Sequence, residues 1–262
     1  MTKLLPLPIL LVVGLVQMQQ RVQPADSPPN NAERKFNQLA EEFITGYLAW
    51  RPQTGTTLGL HEYDGKLTDY SRPSLDAELA RLKRFDEQLA TLGAKSLSPQ
   101  AHYDFRLLRA AIKNEIFQFE DVEGHVKNPM TYAGVLDVNI YIKRNFAPLE
   151  ARLRSIIAIE KQAPKVIAAA KANLEASLAK PFIETAIEVA DGSADFLSKD
   201  LVEALKEVKN EQLLTEFKAV NQRAIEQLRS YVKWLKARSC PKHTPIMPSV
   251  VRSFRRCCAT AN

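Results

Sequence analysis

The sequence predicts an all-α protein, an irregular array of about eight helices, on three observations. Apolar residues recur at steps of three and four along most of the chain. Ala, Leu, Glu and Lys are abundant while Gly is scarce, at 9 in 262 residues, a balance that favours helix over sheet. No segment alternates apolar and polar residues in the manner of a half-buried strand. The hydrophobic content of 45% suffices for one large core or two small ones.

Residues 1–25 read as an export signal. Lys3 gives the positive start, Leu4–Val16 is an apolar run of 13, and Gln17–Asn31 is polar. The run is short for a membrane span, so no stable span is expected once the signal is cleaved, and the expected location is periplasmic or secreted. No cysteine follows the run closely, so lipid anchoring there is not expected. Residues 26–34 form a linker at the end of the PADSPPNN stretch.

The helical domain is expected over residues 35–237. Asn31 is a candidate cap for a helix over Ala32–Trp50, with Phe36, Leu39, Phe43, Ile44, Tyr47 and Leu48 as its apolar stripe. Pro52 and Gly55 should end it, leaving an irregular segment to residue 73. Ser74 should cap the next helix, which carries Leu75, Leu79, Leu82, Phe85 and Leu89 and stops near Gly93. Ser98-Pro99 opens a third, Pro being tolerated where the amide is unpaired anyway. Asn128–Phe146 is less regular and is read as helix. Further helices open at Ala147-Pro148, Pro164 and Lys180-Pro181, Gly192 loosening the last of these. A final helix spans about Glu211 to Trp234. Charges such as Glu203, Lys206 and Lys209 read as solvated helix faces.

Residues 238–262 form an atypical tail. The net charge of +6 suggests a nucleic-acid or anionic-membrane partner until its distribution is examined. Lys236, Arg238, Lys242, Arg252, Arg255 and Arg256 lie in the last 27 residues with no Asp or Glu, and without those six the remaining 30 basic residues balance 30 acidic ones. The body is neutral and no nucleic-acid partner is expected. The same tail holds every cysteine, Cys240, Cys257 and Cys258, and three prolines. So abrupt a shift favours a replaced continuation, through frameshift or truncation, over a native basic tail.

The most distinctive stretch is residues 52–71, PQTGTTLGLHEYDGKLTDYS. His61-Glu62 begins the H-E-x-x-H pattern in which two histidines one helical turn apart hold zinc. The second histidine would have to stand at Gly65, and Asp64-Gly65 is a turn signal. No metal or other cofactor is therefore expected within this chain. There is no G-x-S-x-G elbow and no phosphate loop. Structural packing of the block competes with a second reading, in which His61, Tyr63 and Asp64 face a substrate cleft. No catalytic residue is assigned.

The block also carries a resemblance. Arg51-Pro52, Thr56-Thr57-Leu58-Gly59-Leu60-His61-Glu62-Tyr63-Asp64 and Leu67-Thr68-Asp69-Tyr70-Ser71 resemble the amino-terminal signature of the bacterial domain of unknown function 885 family. Asn128-Pro129 with Tyr132, Phe146-Ala147-Pro148 with Arg152-Leu153, Ala172-Asn173-Leu174 and Tyr231–Leu235 continue it. Gly55 stands where the family usually has Ala. The resemblance implies the amino-terminal half of a larger helical fold like that of zinc metallopeptidases, exported, with zinc and its H-E-x-x-H ligands in the other half. It implies a peptide substrate for the full-length relative and an inactive chain here. The alternative is a non-enzymatic helical interaction module.

Overall fold

The computed structural model describes residues 30–238. The expected signal segment, most of the linker and the basic tail lie outside the described residues. Among the described residues there is helix and no strand. Seven helices are long: α1 (Asn31–Trp50), α3 (Arg72–Leu92), α4 (Pro99–Phe117), α8 (Leu149–Glu160), α9 (Ala163–Asn173), α10 (Lys180–Ser198) and α12 (Glu211–Arg238). Five are of one or two turns: α2 (Pro52–Thr57), α5 (Gly124–Lys127), α6 (Met130–Ala133), α7 (Asn139–Lys143) and α11 (Asp200–Ala204).

Local chemistry sets the helix ends, with small corrections to the sequence reading. The cap of α1 is Asn30, not Asn31: its side chain accepts from the Glu33 amide at 3.0 Å, and Glu33 accepts from the Asn30 amide at 2.9 Å. This reciprocal pair satisfies two otherwise orphaned amides. Ser71 rather than Ser74 precedes α3, because Pro73 fits the first turn where no amide partner exists. Gly93 ends α3 at φ 66°, a conformation that favours glycine. Pro52 begins α2 instead of closing α1, for the same reason as Pro73. Residues 128–146 resolve into α6, α7 and connecting turns. Helix α10 continues through Gly192, and α12 runs four residues beyond Trp234.

Two apolar cores form. The smaller joins α1, α3 and α4 through Phe36, Phe43, Leu82, Phe85, Leu89 and Ile112. The larger is organised by α12, which packs on α8, α9 and α10 with Phe217, Ala224, Leu228, Tyr231 and Leu235 buried. Each fully buried large side chain contributes roughly 1.5–3 kcal/mol by leaving water. Near the first core, Glu78 is 3% exposed and ion-paired. It accepts from Arg51 Nη1 at 2.9 Å and is gripped on both oxygens by Arg81, at 2.7 and 3.0 Å. Arg51 also pairs with Glu115. This fixes the end of α1, and with it the start of the 52–71 block.

The second core contains a carboxyl group without a partner. Glu160, at the end of α8, is 1% exposed, and neither of its oxygens has a hydrogen bond. Burial pushes its pKa up to about 8, so at neutral pH the group is mainly the acid.

Candidate functional site

The 52–71 block is a folded surface element. After α2, Gly59 (φ 87°) turns the chain into a single 3-10 turn over His61–Tyr63. Gly65 (φ 74°) then brings the backbone against α8, where a Cβ would stand 3.1 Å from that of Ala158. The Gly65 amide donates to the Tyr141 hydroxyl at 3.0 Å, and its carbonyl accepts from Gln162 Nε2 at 3.0 Å. Burial raises the Tyr141 pKa, opposed by its bond to Gly65. The hydroxyl therefore stays protonated and neutral at physiological pH. Position 65 is thus held by a left-handed backbone and a close contact, neither compatible with a metal-binding side chain.

Two of the three residues singled out from the sequence come together. His61 Nδ1 lies 3.1 Å from Asp64 Oδ2. The imidazole stacks on the Phe146 ring at 3.9 Å between centroids and 17° between planes. The His61 side chain is 42% exposed and that of Asp64 12%, so a partly buried carboxylate orients a ring that solvent can reach. Such a pairing fixes the orientation of the ring, useful in proton transfer or metal ligation. Asp64 Oδ1 is buried without a hydrogen bond. Phe146 is positioned by Arg152, which is 8% exposed. Its guanidinium donates to the carbonyls of Ala147, Tyr141 and Arg144 at 2.8, 2.6 and 3.2 Å, and to Asn145 Oδ1 at 3.0 Å.

Tyr63 stands apart from this pair. Its ring lies over Gly55, where an added Cβ would come within 2.4 Å of Cδ2, and Lys66 Nζ sits 5.7 Å above it. Gly55→Ala is therefore expected to cost about 1–3 kcal/mol by overpacking. Chemical denaturation should show the loss, and Tyr63→Ala should relieve it in the double variant. Equal costs in both backgrounds would exclude the contact as the cause.

Beside the pair, between α2 and the 134–141 segment, is a cavity of about 400 Å³. Gln53, Thr54, Thr56, Thr57, Asp137 and Tyr141 line it, with Ile140 and Ile159 supplying apolar surface. None of His61, Tyr63 or Asp64 is among its lining residues. Along the sequence, the unusual block marked Thr56 and Thr57. No local pattern marked Asp137 or Tyr141, which come from a different stretch of chain.

Among the described residues, no group of three or more His, Cys, Asp or Glu side chains could hold a metal. The His61–Asp64 pair is two groups where zinc needs three or more protein ligands, so these residues do not by themselves fit zinc.

The short motifs that looked separate along the chain meet in space. Asn173 Nδ2 donates to the Tyr70 carbonyl at 2.7 Å and lies 3.1 Å from the Tyr132 hydroxyl. The Tyr132 hydroxyl donates to the His125 carbonyl at 2.6 Å, and the Tyr231 hydroxyl to that of Pro129 at 2.9 Å. Tyr70 and Tyr132 also make an edge contact at 5.1 Å. These residues hold the block to the second core. Burial pushes the Tyr132 pKa up to about 12.

Comparison with known proteins agrees with this picture. The profile of the family described as "Bacterial protein of unknown function (DUF885)" matches residues 52–248, beginning at the distinctive block. The match runs past residue 238, where the composition changes. No curated protein matches. A solved structure, "a putative lipoprotein of unknown function from Shewanella oneidensis", is similar at a TM-score of 0.70 and 25% identity. The similarity covers 78% of this chain and 37% of that one. The chain therefore spans little more than a third of that protein's length.

Proposed function

The chain belongs to the bacterial DUF885 family, and we propose that its described residues form the substrate-cleft wall of an exported, zinc-dependent peptidase whose metal ligands lie elsewhere. The observation that carries this reading is the His61–Asp64 pair: a solvent-reachable imidazole, stacked on Phe146 and oriented by a partly buried carboxylate. A ring held in this way is suited to face reacting groups brought by another part of a protein. Zinc, when bound by that part, would supply an activated water. On this proposal residues 30–238 do not cleave peptides alone.

Export is supported by the charged and apolar start of the sequence and by the lipoprotein description of the Shewanella oneidensis relative. No described helix is long and apolar enough to cross a membrane.

The test is a fluorogenic peptide library with added zinc. The purified 262-residue chain should give no metal-dependent turnover. Co-expression with the complementary part of a longer family member should restore it, and a chelator should remove it. Metal-dependent cleavage by the 262-residue chain alone would overturn the division of labour, and no cleavage in the complemented pair would overturn the peptidase reading. In the active pair, Asp64→Asn should lower kcat/KM about 10–100-fold through loss of ring orientation. Tyr63→Phe, whose ring packs over Gly55, should leave it within about twofold.

A further inference from the structure

The cavity beside the His61–Asp64 pair has a lining whose chemistry is one-sided. Asp137 is its sole formally charged lining residue, and no cationic side chain lines it. Asp137 is exposed at the mouth, and its carboxylate is braced: Oδ1 accepts from the Asn139 amide at 2.9 Å and from Asn139 Nδ2 at 2.7 Å. Oδ2 is thereby left for a ligand. Gln53 is also half engaged, its Nε2 donating to the Val135 carbonyl at 2.9 Å, which leaves its side-chain oxygen as an acceptor. Arg144, a nearby cation outside the lining, donates to the Thr57 carbonyl at 2.9 Å.

The deep end is different. Ile159 is 1% exposed and Tyr141 2%, and together with Ile140 they give an apolar floor. Thr56 is 3% exposed there, and its hydroxyl lies beside that of Tyr141 without a well-formed hydrogen bond. The volume, about 400 Å³, falls within the range of small-molecule sites.

A carboxylate and acceptors at the mouth above an apolar floor match a small amine with an apolar side chain. We propose that this cavity binds the free amino terminus of a peptide, with the α-ammonium on Asp137 and an aliphatic first side chain over Ile140, Ile159 and Tyr141. Thr54 and the Gln53 amide then lie near the first peptide group. The choice of a peptide as source of the amine rests on the peptidase reading above. The site itself rests on the cavity and its lining.

The probe is leucinamide, titrated at pH 6.5 into the full chain and followed by backbone amide NMR. At that pH its amine is protonated. Shifts should concentrate on Thr54, Thr56, Thr57 and Asp137. N-acetyl-leucinamide, which lacks the charge, and glycinamide, which lacks the side chain, should each bind at least about tenfold more weakly. Asp137→Asn should weaken leucinamide to a similar extent with the amide spectrum otherwise unchanged. Acetylation leaves the protein untouched, so the comparison holds even if that variant folds poorly.

Equal binding of the acetylated probe, shifts that map elsewhere, or no saturable binding would each overturn the assignment. The readout needs no turnover. A chain that binds leucinamide through Asp137 but never supports cleavage keeps the site and loses the peptidase reading. A complemented peptidase that ignores leucinamide does the reverse.

Discussion

Replacing Glu160 with Leu should stabilise the protein at pH 8 and remove a pH dependence that the native chain shows. Glu160 is 1% exposed with both oxygens unpartnered, and burial raises its pKa from 4.5 to about 8. Below pH 4.5 the group is protonated both folded and unfolded, and its ionisation costs nothing. Between 4.5 and about 8 the unfolded chain releases the proton and the folded chain keeps it. Stability is then lost as pH rises, at about 1.4 kcal/mol per unit. Above about 8 both states are ionised and the loss is complete, of the order of 4–5 kcal/mol. The native chain and Glu160→Leu should therefore differ most at pH 8 and least near pH 4.5. Urea unfolding at four pH values measures this directly. Parallel curves for the two proteins across the window would show that the carboxyl is solvated or paired.

Arg152→Met should be the most damaging single change near the site. The Arg152 guanidinium is buried and spends its donors on four oxygens of residues 141–147. Methionine keeps much of the volume but leaves those acceptors without a donor, a cost of about 3–5 kcal/mol. The loss should also be local. Phe146 would no longer be held under His61, and the ring-current shift of the His61 imidazole protons should fall. Arg152→Lys should recover little, because a single ammonium cannot replace a planar fork bound to several carbonyls. A stability change under about 0.5 kcal/mol, or an unaltered His61 spectrum, would contradict this account.

Much of the fold was legible along the chain. The stripe Phe36, Leu39, Phe43 marks α1, Ser98-Pro99 marks the start of α4 to the residue, and Gly93 marks the end of α3. These signals are local: a cap, a missing amide, a left-handed stop. The misreadings were also local in kind. Pro52 can end one helix or begin the next, and only the packing of Arg51 on Glu78 and Glu115 decides that α1 stops and α2 starts there. The 128–146 segment has apolar residues at mixed spacing, because Tyr132, Val138 and Tyr141 are buried from short, differently oriented turns.

The candidate site was legible as a place but not as an arrangement. The unusual mixture at 52–71 marked it, and His61 with Asp64 proved to be a pair. Nothing in the letters separated Tyr63 from them, since its partner is the Gly55 backbone. Phe146 and Arg152 stood in the family resemblance without a stated role until Phe146 was found stacked on His61 and Arg152 bonded to the carbonyls around it.

The sequence by itself determined the helical class, the family and the impossibility of a second histidine ligand at Gly65. It could do so because periodicity, capping and turn chemistry act over a few residues. The tertiary structure alone decided that His61 rests on Phe146, that Gly65 hangs from Tyr141 and Gln162, that a cavity opens over Ile159, and that Glu160 is entombed. Those outcomes depend on contacts between residues up to about a hundred positions apart, where solvent exclusion sets the strength of each interaction and no local pattern records it.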